Sequence, residues 1–326
     1  MLIKPGFAAR TILILLLIAL LAEVFLRICG HVYLARFYYN NFISTVEPSP
    51  KDIIIVCLGE SSTAGLWVNG EDSYPRQLEK KLREFYKNEN IKIIVPPHLG
   101  QNTSHISNRI KNYLTLYKPK LIILMAGANN QWSLSESHSI KFIHGFKEDV
   151  LKMKCLIFLD SFRLFKAMRY FYLICANRED PVFLTAGKPG LLSEPQYSRW
   201  PPKEWIFNFA ETHKEAFIKM WEHDIRRIIN TAEKHDAKVL LMTYAVPIYV
   251  PFEHFVSMAK ENNTCLIRND ESFSTIIESG NMREYFCKDN WHPNGRGYSI
   301  IADNAFEYIR DNDLLGLLGI GSALKM

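Results

Sequence analysis

The sequence lacks the patterns that announce a metal site or a nucleic-acid surface. Its 326 residues contain no Cys-x-x-Cys and no His-Glu-x-x-His, which removes the commonest zinc frames. The six cysteines lie far apart, so no disulfide framework is spelled out. Cys265 and Cys287 are the candidates for pairing in an oxidising compartment. The net charge of +5 is modest for this length, and no basic stripe with interleaved aromatics occurs, so nucleic acid is not an expected partner. Internal repeats and low-complexity tracts are also missing. What is plentiful is apolar residues, at 48%, enough for a substantial core. The length allows one anchor-sized segment and one large domain.

Five runs read as strands: Asp52–Leu58, Ile91–Val95, Leu121–Ala126, Ala237–Tyr244 and Thr264–Ile267. They show little polar alternation, the mark of parallel strands covered on both faces. Helix-like stretches separate them, including Leu66–Tyr86, about Thr212–Lys234 and Tyr298–Ile309. Strands alternating with helices imply a doubly wound α/β three-layer sandwich on a five-stranded parallel sheet.

Chemistry-bearing residues follow the first three runs. Gly59-Glu60-Ser61 comes directly after the first, with Gly59 free to turn sharply. The serine then sits at the carboxyl edge of the sheet, where ligands bind in open α/β folds, near a helix amino terminus that favours negative charge. Two readings share Ser61, a nucleophile and a helix cap. Leu99-Gly100-Gln101-Asn102-Thr103-Ser104 follows the second run and Gly127-Ala128-Asn129-Asn130 the third; taken alone, Gly100 and Asn129 are turn or cap residues. Asp289-Asn290-Trp291-His292-Pro293 precedes the last helix.

These four segments, in this order, resemble the sequence blocks of the SGNH (GDSL-type) hydrolases. The resemblance covers about Lys51 to Arg310 and is thin between Gln131 and Glu211. It implies a flavodoxin-like strand order, 2-1-3-4-5. It also implies a triad of Ser61, Asp289 and His292, with an oxyanion hole from the Ser61 and Gly100 backbone amides and the Asn129 side chain. The residue types suit these roles. A serine hydroxyl needs a base to take its proton, and an imidazole with a reference pKa of about 6.5 can do so at neutral pH. An aspartate can hold the other ring nitrogen and stabilise the imidazolium. A glycine permits close approach, and amide donors stabilise an oxyanion. Glu60 and Asn130 depart from the family's usual aspartates; neither acts directly in the implied mechanism, so the departures bear on the local hydrogen-bond network. His98 and His105 read as loop or surface residues.

The amino terminus carries a separate signal. Thr11–Ala22 has no charge, and Phe7–Ile28 reaches the roughly 20 residues a span needs. Glu23 and Arg27 interrupt it at i,i+4 spacing, where they can pair. A cleaved signal peptide and a buried core helix are the rivals; Leu20 and Ala22 make a poor small-x-small cleavage site. Charge is nearly symmetric about the span, and the simplest orientation exports the domain.

The expected organisation is a cytoplasmic tail (1–10), a single transmembrane anchor (11–29), an aromatic-rich stalk (30–50), a hydrolase domain (51–313) with an insertion at 131–211, and a tail (314–326). The insertion could overhang the site or pack as two helices on the sheet edge. The expected protein is a membrane-anchored, extracytoplasmic esterase. It needs no metal or organic cofactor and acts on O-acyl, notably acetyl, esters of glycans. Acyl transfer to glycans, lipid esters or thioesters, and a catalytically silent binding module are the alternatives.

Overall fold

The computed structural model describes residues 5–41, 49, 51–97, 99–144, 147–176 and 205–317. His98, all of residues 177–204, including the Pro- and Gly-rich stretch Glu179–Pro202 read as loop, and the tail beyond residue 317 lie outside the described residues. One sheet holds five parallel strands: β1 (Ile53–Gly59), β2 (Ile91–Ile94), β3 (Leu121–Met125), β4 (Lys238–Met242) and β5 (Cys265–Ile267). Their order is β2-β1-β3-β4-β5, as the resemblance implied. All of β3 and nearly all of β1 are buried, which accounts for their missing polar alternation.

The described helices, in chain order, are α1 (Pro5–Asn41), α2 (Ser61–Ala64), α3 (Tyr74–Tyr86), α4 (Thr103–Tyr117), α5 (Lys147–Asp160), α6 (Arg163–Ala176), α7 (Trp205–Thr212), α8 (Lys214–Glu233), α9 (Phe252–Glu261), α10 (Asn269–Glu278), α11 (Met282–Tyr285), α12 (Gly295–Asp311) and α13 (Leu314–Leu317). The pairs α3–α12 and α4–α8 cover the sheet and complete the three-layer sandwich. The single helix expected over Leu66–Tyr86 is α-helical only in α3, after a 3-10 turn at Gly70–Asp72. Gly65 (φ 66°) and Trp67 (φ 74°) are left-handed, and such a backbone cannot continue a right-handed helix. Pro75 opens α3, where its missing N–H costs nothing.

The insertion after Asn129 contributes α5 and α6. With Leu134 and Ile143 they build a second apolar cluster on Phe209, Phe217 and Met220 of α7 and α8. α1 is long and apolar enough to cross a membrane between Ala9 and Tyr39. It continues through residues 30–41, where a stalk was expected, and Phe37 and Tyr38 pack against the main core. All six cysteines are free thiols; Cys265 and Cys287 do not pair.

Candidate active site

The turn after β1 places the serine. At Gly59 a Cβ would lie 2.0 Å from Thr63 Oγ1 and 2.3 Å from the Met125 carbonyl oxygen, so only glycine lets β1 run into α2 beside β3. Ser61 opens α2 half-buried, while Ser62 is buried. The Ser61 hydroxyl meets His292 Nε2 at 2.8 Å, and His292 Nδ1 meets Asp289 Oδ2 at 2.5 Å. An ionised Asp289 can only accept, so Nδ1 carries the proton and Nε2 is free to accept from Ser61.

The loop bearing His292 is shaped by the same carboxylate. Asp289 Oδ1 accepts the Trp291 and His292 backbone amides, each at 3.0 Å. Asn290 takes the left-handed conformation (φ 53°) that Asn tolerates, and a Phe286–Pro293 bridge closes the loop. Asn294 then caps α12 through the Arg296 and Gly297 amides. Burial pushes the Asp289 carboxyl up. The His292 hydrogen bond and charge, with the two amides, outweigh it, and the net shift is below the ordinary value.

Asn129 stands just beyond β3, in a loop built on a second carboxylate. Glu60 is 1% exposed and its Oε1 accepts the Gly127 amide at 2.8 Å; the Ala128 and Asn129 amides also bond it. The Tyr244 hydroxyl donates to Glu60 Oε2. Burial pushes Glu60 up to about 7, against these hydrogen bonds. Gly127 (φ 135°) leaves room for Trp221, whose ring would sit 2.8 Å from a Cβ there and whose Nε1 donates to the Ala126 carbonyl. The outcome is that Asn129 Nδ2 is buried with no hydrogen-bond partner in the structure, while Asn129, Ser61, Asp289 and His292 all line one cavity of about 820 Å³.

Gly100 is placed differently. It occupies an exposed left-handed turn (φ 66°) after β2 and is not among the residues lining that cavity. The block around it is nevertheless tied to Asn130: the Thr103 amide donates to Asn130 Oδ1 at 3.0 Å, and the Thr103 hydroxyl oxygen lies 3.1 Å from the same atom. Thr103 and Ser104 also donate to the buried Asp224 carboxylate, which meets His138 Nδ1 at 2.5 Å. His105, expected at the surface or in a loop, is buried in α4 and completes the capping box of Asn102 at its start.

Sequence reasoning passed over Glu60 as a local departure and Tyr244 altogether. Tyr244 lies just past β4, at the same sheet edge as Ser61 and Asn129, so a polar residue ending that apolar run was the available signal. Trp132, which also lines the cavity, falls in the stretch where the family resemblance is thin.

No family model and no curated protein matches the chain. Solved structures similar to it include the psychrotrophic esterase EstA from Pseudoalteromonas sp., at 14% identity over 80% of this chain and 98% of that one, TM-score 0.45. The acetyl xylan esterase AlAXEase is similar at 16% identity over 79% and 100%, TM-score 0.45, and TesA at 12% over 79% and 98%, TM-score 0.46. At such values the likeness carries no argument about chemistry, which rests on this chain's own side chains. Strand order, and the placing of the first three blocks just beyond β1, β2 and β3 and of the fourth just before α12, are those implied by the chain's resemblance to the SGNH hydrolases.

Proposed function

We propose that the protein is a serine ester hydrolase that works through an acyl-enzyme on Ser61 and removes O-acyl groups, acetyl foremost, from envelope glycans. One arrangement carries this reading: the relay from Ser61 through His292 to Asp289, beside the unpartnered Nδ2 of Asn129. Ser61 Oγ attacks the ester carbonyl and its proton passes to His292 Nε2. Asp289 stabilises the imidazolium. The carbonyl oxygen becomes an oxyanion, for which Asn129 Nδ2 is a buried donor already committed to nothing else. The Ser61 and Gly100 amides are the further donors of this reading; for Gly100 the support is the resemblance alone. His292 returns the proton to the leaving alcohol, and water repeats the sequence in reverse roles to free the acid and Ser61.

The cavity wall supports a carbohydrate. Trp132, Tyr249, Trp291, Glu211 and Glu278 all line the cavity, so aromatic surface can meet the C–H surface of a sugar while carboxylates accept its hydroxyls. In this reading α1 stays attached as a single-pass anchor and holds the domain outside the cytoplasm. The test is labelling by a fluorophosphonate, followed by turnover of acetyl and longer acyl esters. Ser61→Ala should abolish both with an unchanged far-UV spectrum. Labelling that survives Ser61→Ala and disappears in Ser62→Ala would refute the assignment.

A further inference from the structure

α6 carries an exposed apolar face that is unfavourable for a helix facing water. Arg163 is exposed at its start, but Arg169 is 7% exposed, donates to the Trp132 carbonyl at 2.8 Å and stacks on that ring, its guanidinium carbon 4.4 Å from the centroid. Lys166 and Arg169 both pair with the buried Asp160 at 3.4 Å. Phe165 packs on the second apolar cluster, whereas Met168, Phe171 and Tyr172 form an exposed face, with Phe171 67% exposed. α5 exposes Leu151 and Phe158, with the exposed Lys154 between them on the same side of the helix. In water each exposed phenylalanine forgoes its burial free energy, whereas against hydrocarbon the arrangement is the favourable one.

A second observation says what covers this face. Glu23, inside the apolar run of α1, accepts the Arg163 and Leu164 amides at 3.0 and 2.8 Å, and Arg27 donates to the Ser161 carbonyl at 3.0 Å. An acidic side chain in a membrane span is costly unless it finds partners; Arg27, paired with it at 2.7 Å, and the first free amides of α6 are those partners. From Ser161 to Leu164 the chain moves from Arg27 back to Glu23, toward the apolar amino-terminal half of α1. The outward face of α6 therefore starts at the level of the span.

We propose that the outer face of α5 and α6 is a lipid-bilayer contact, docked on α1 through Glu23, which sets the Trp132 wall of the cavity at the membrane surface. This rests on α1 spanning the membrane and is independent of the esterase reading. Full-length protein would be reconstituted in phosphatidylcholine vesicles containing a phosphatidylcholine with a photoreactive diazirine in its acyl chain, and the adducts mapped by mass spectrometry. Adducts are expected on residues 151–158 and 168–172 as well as on 12–21, with none on α4. A Met168→Glu, Phe171→Glu variant should lose its α6 adducts by about tenfold while α1 adducts persist. Glu23→Ala should lower α6 adducts in the same selective way, with fluorophosphonate labelling of Ser61 reporting whether the domain is intact. Adducts on α1 alone would overturn the proposal.

Discussion

The loop carrying Asn129 and the loop carrying His292 each hang on one carboxylate, and the two carboxylates are pushed in opposite directions. Glu60 accepts backbone amides and a tyrosine hydroxyl, and full burial lifts it to about 7. Asp289 also accepts two amides, but it faces the imidazole of His292, which with those amides holds it below its ordinary value. Two similar anchors thus serve different ends. Glu60 is a structural acceptor whose charge is dispensable near neutrality, and Asp289 is an electrostatic partner whose charge is the point. Linkage gives them opposite signs. The Glu60 contribution is fully present below its ordinary pKa of 4.5 and is lost as pH rises through about 7. The Asp289 contribution is present above its ordinary 3.8 and is lost as pH falls through its lower folded value.

Asp289→Asn attacks the comparison where the expected effect is largest. It keeps size and removes charge, and the amide favours the wrong His292 tautomer, so kcat should fall by about 10⁴, or about 5.4 kcal/mol. A kcat within tenfold of wild type, measured on a folded variant, would reduce Asp289 to a second loop anchor like Glu60. Asn129→Ala tests what the Glu60 loop presents to the cavity. Loss of one oxyanion donor should lower kcat by about 10²–10³, about 2.7–4 kcal/mol, with little change in KM; a raised KM at normal kcat would assign Asn129 to ground-state binding. Glu60→Gln should change activity least, because the amide oxygen can still accept from the loop while the Tyr244 hydroxyl turns to accept. Its readout is stability against pH. Wild type should lose roughly 3 kcal/mol relative to the variant between pH 4.5 and 7, because proton binding by the unfolded and folded chains differs across that range. Parallel unfolding curves from pH 4.5 to 7 would show that Glu60 is ionised throughout.

The strands were legible because a buried parallel strand leaves a run of Ile, Leu and Val that nothing else in a water-facing domain requires. Strand order was not; it came with the resemblance, since periodicity says nothing of neighbours. At the site, Ser61, Asp289 and His292 were legible because each sits in a short local pattern, and the structure joins them within hydrogen-bond reach. Glu60 with Tyr244 was not, as their bond spans 184 positions and neither residue alone announces it. Gly65 and Trp67 broke a helix through backbone conformation rather than composition. The burial of Arg169 and the exposure of Phe171 in α6 escaped for another reason. A helical period identifies two faces, but inward and outward are assigned by assuming water outside, and Arg169 and Phe171 occupy the reverse positions.

The hydrogen bond between Ser61 and His292 spans 231 positions of chain. Closing so long a loop costs only about 0.6 kcal/mol more than closing one half its length, so the distance barely affects the finished molecule. It does set a schedule. At about 5–20 residues per second, the ribosome delivers His292 roughly ten to fifty seconds after Ser61. On the proposed mechanism, Ser61 stands through that interval without His292 to take its hydroxyl proton. On that mechanism reactivity arrives with the last loop, once Phe286 and Pro293 bridge and α12 packs on α3, so the order of synthesis would act as a safety catch on Ser61.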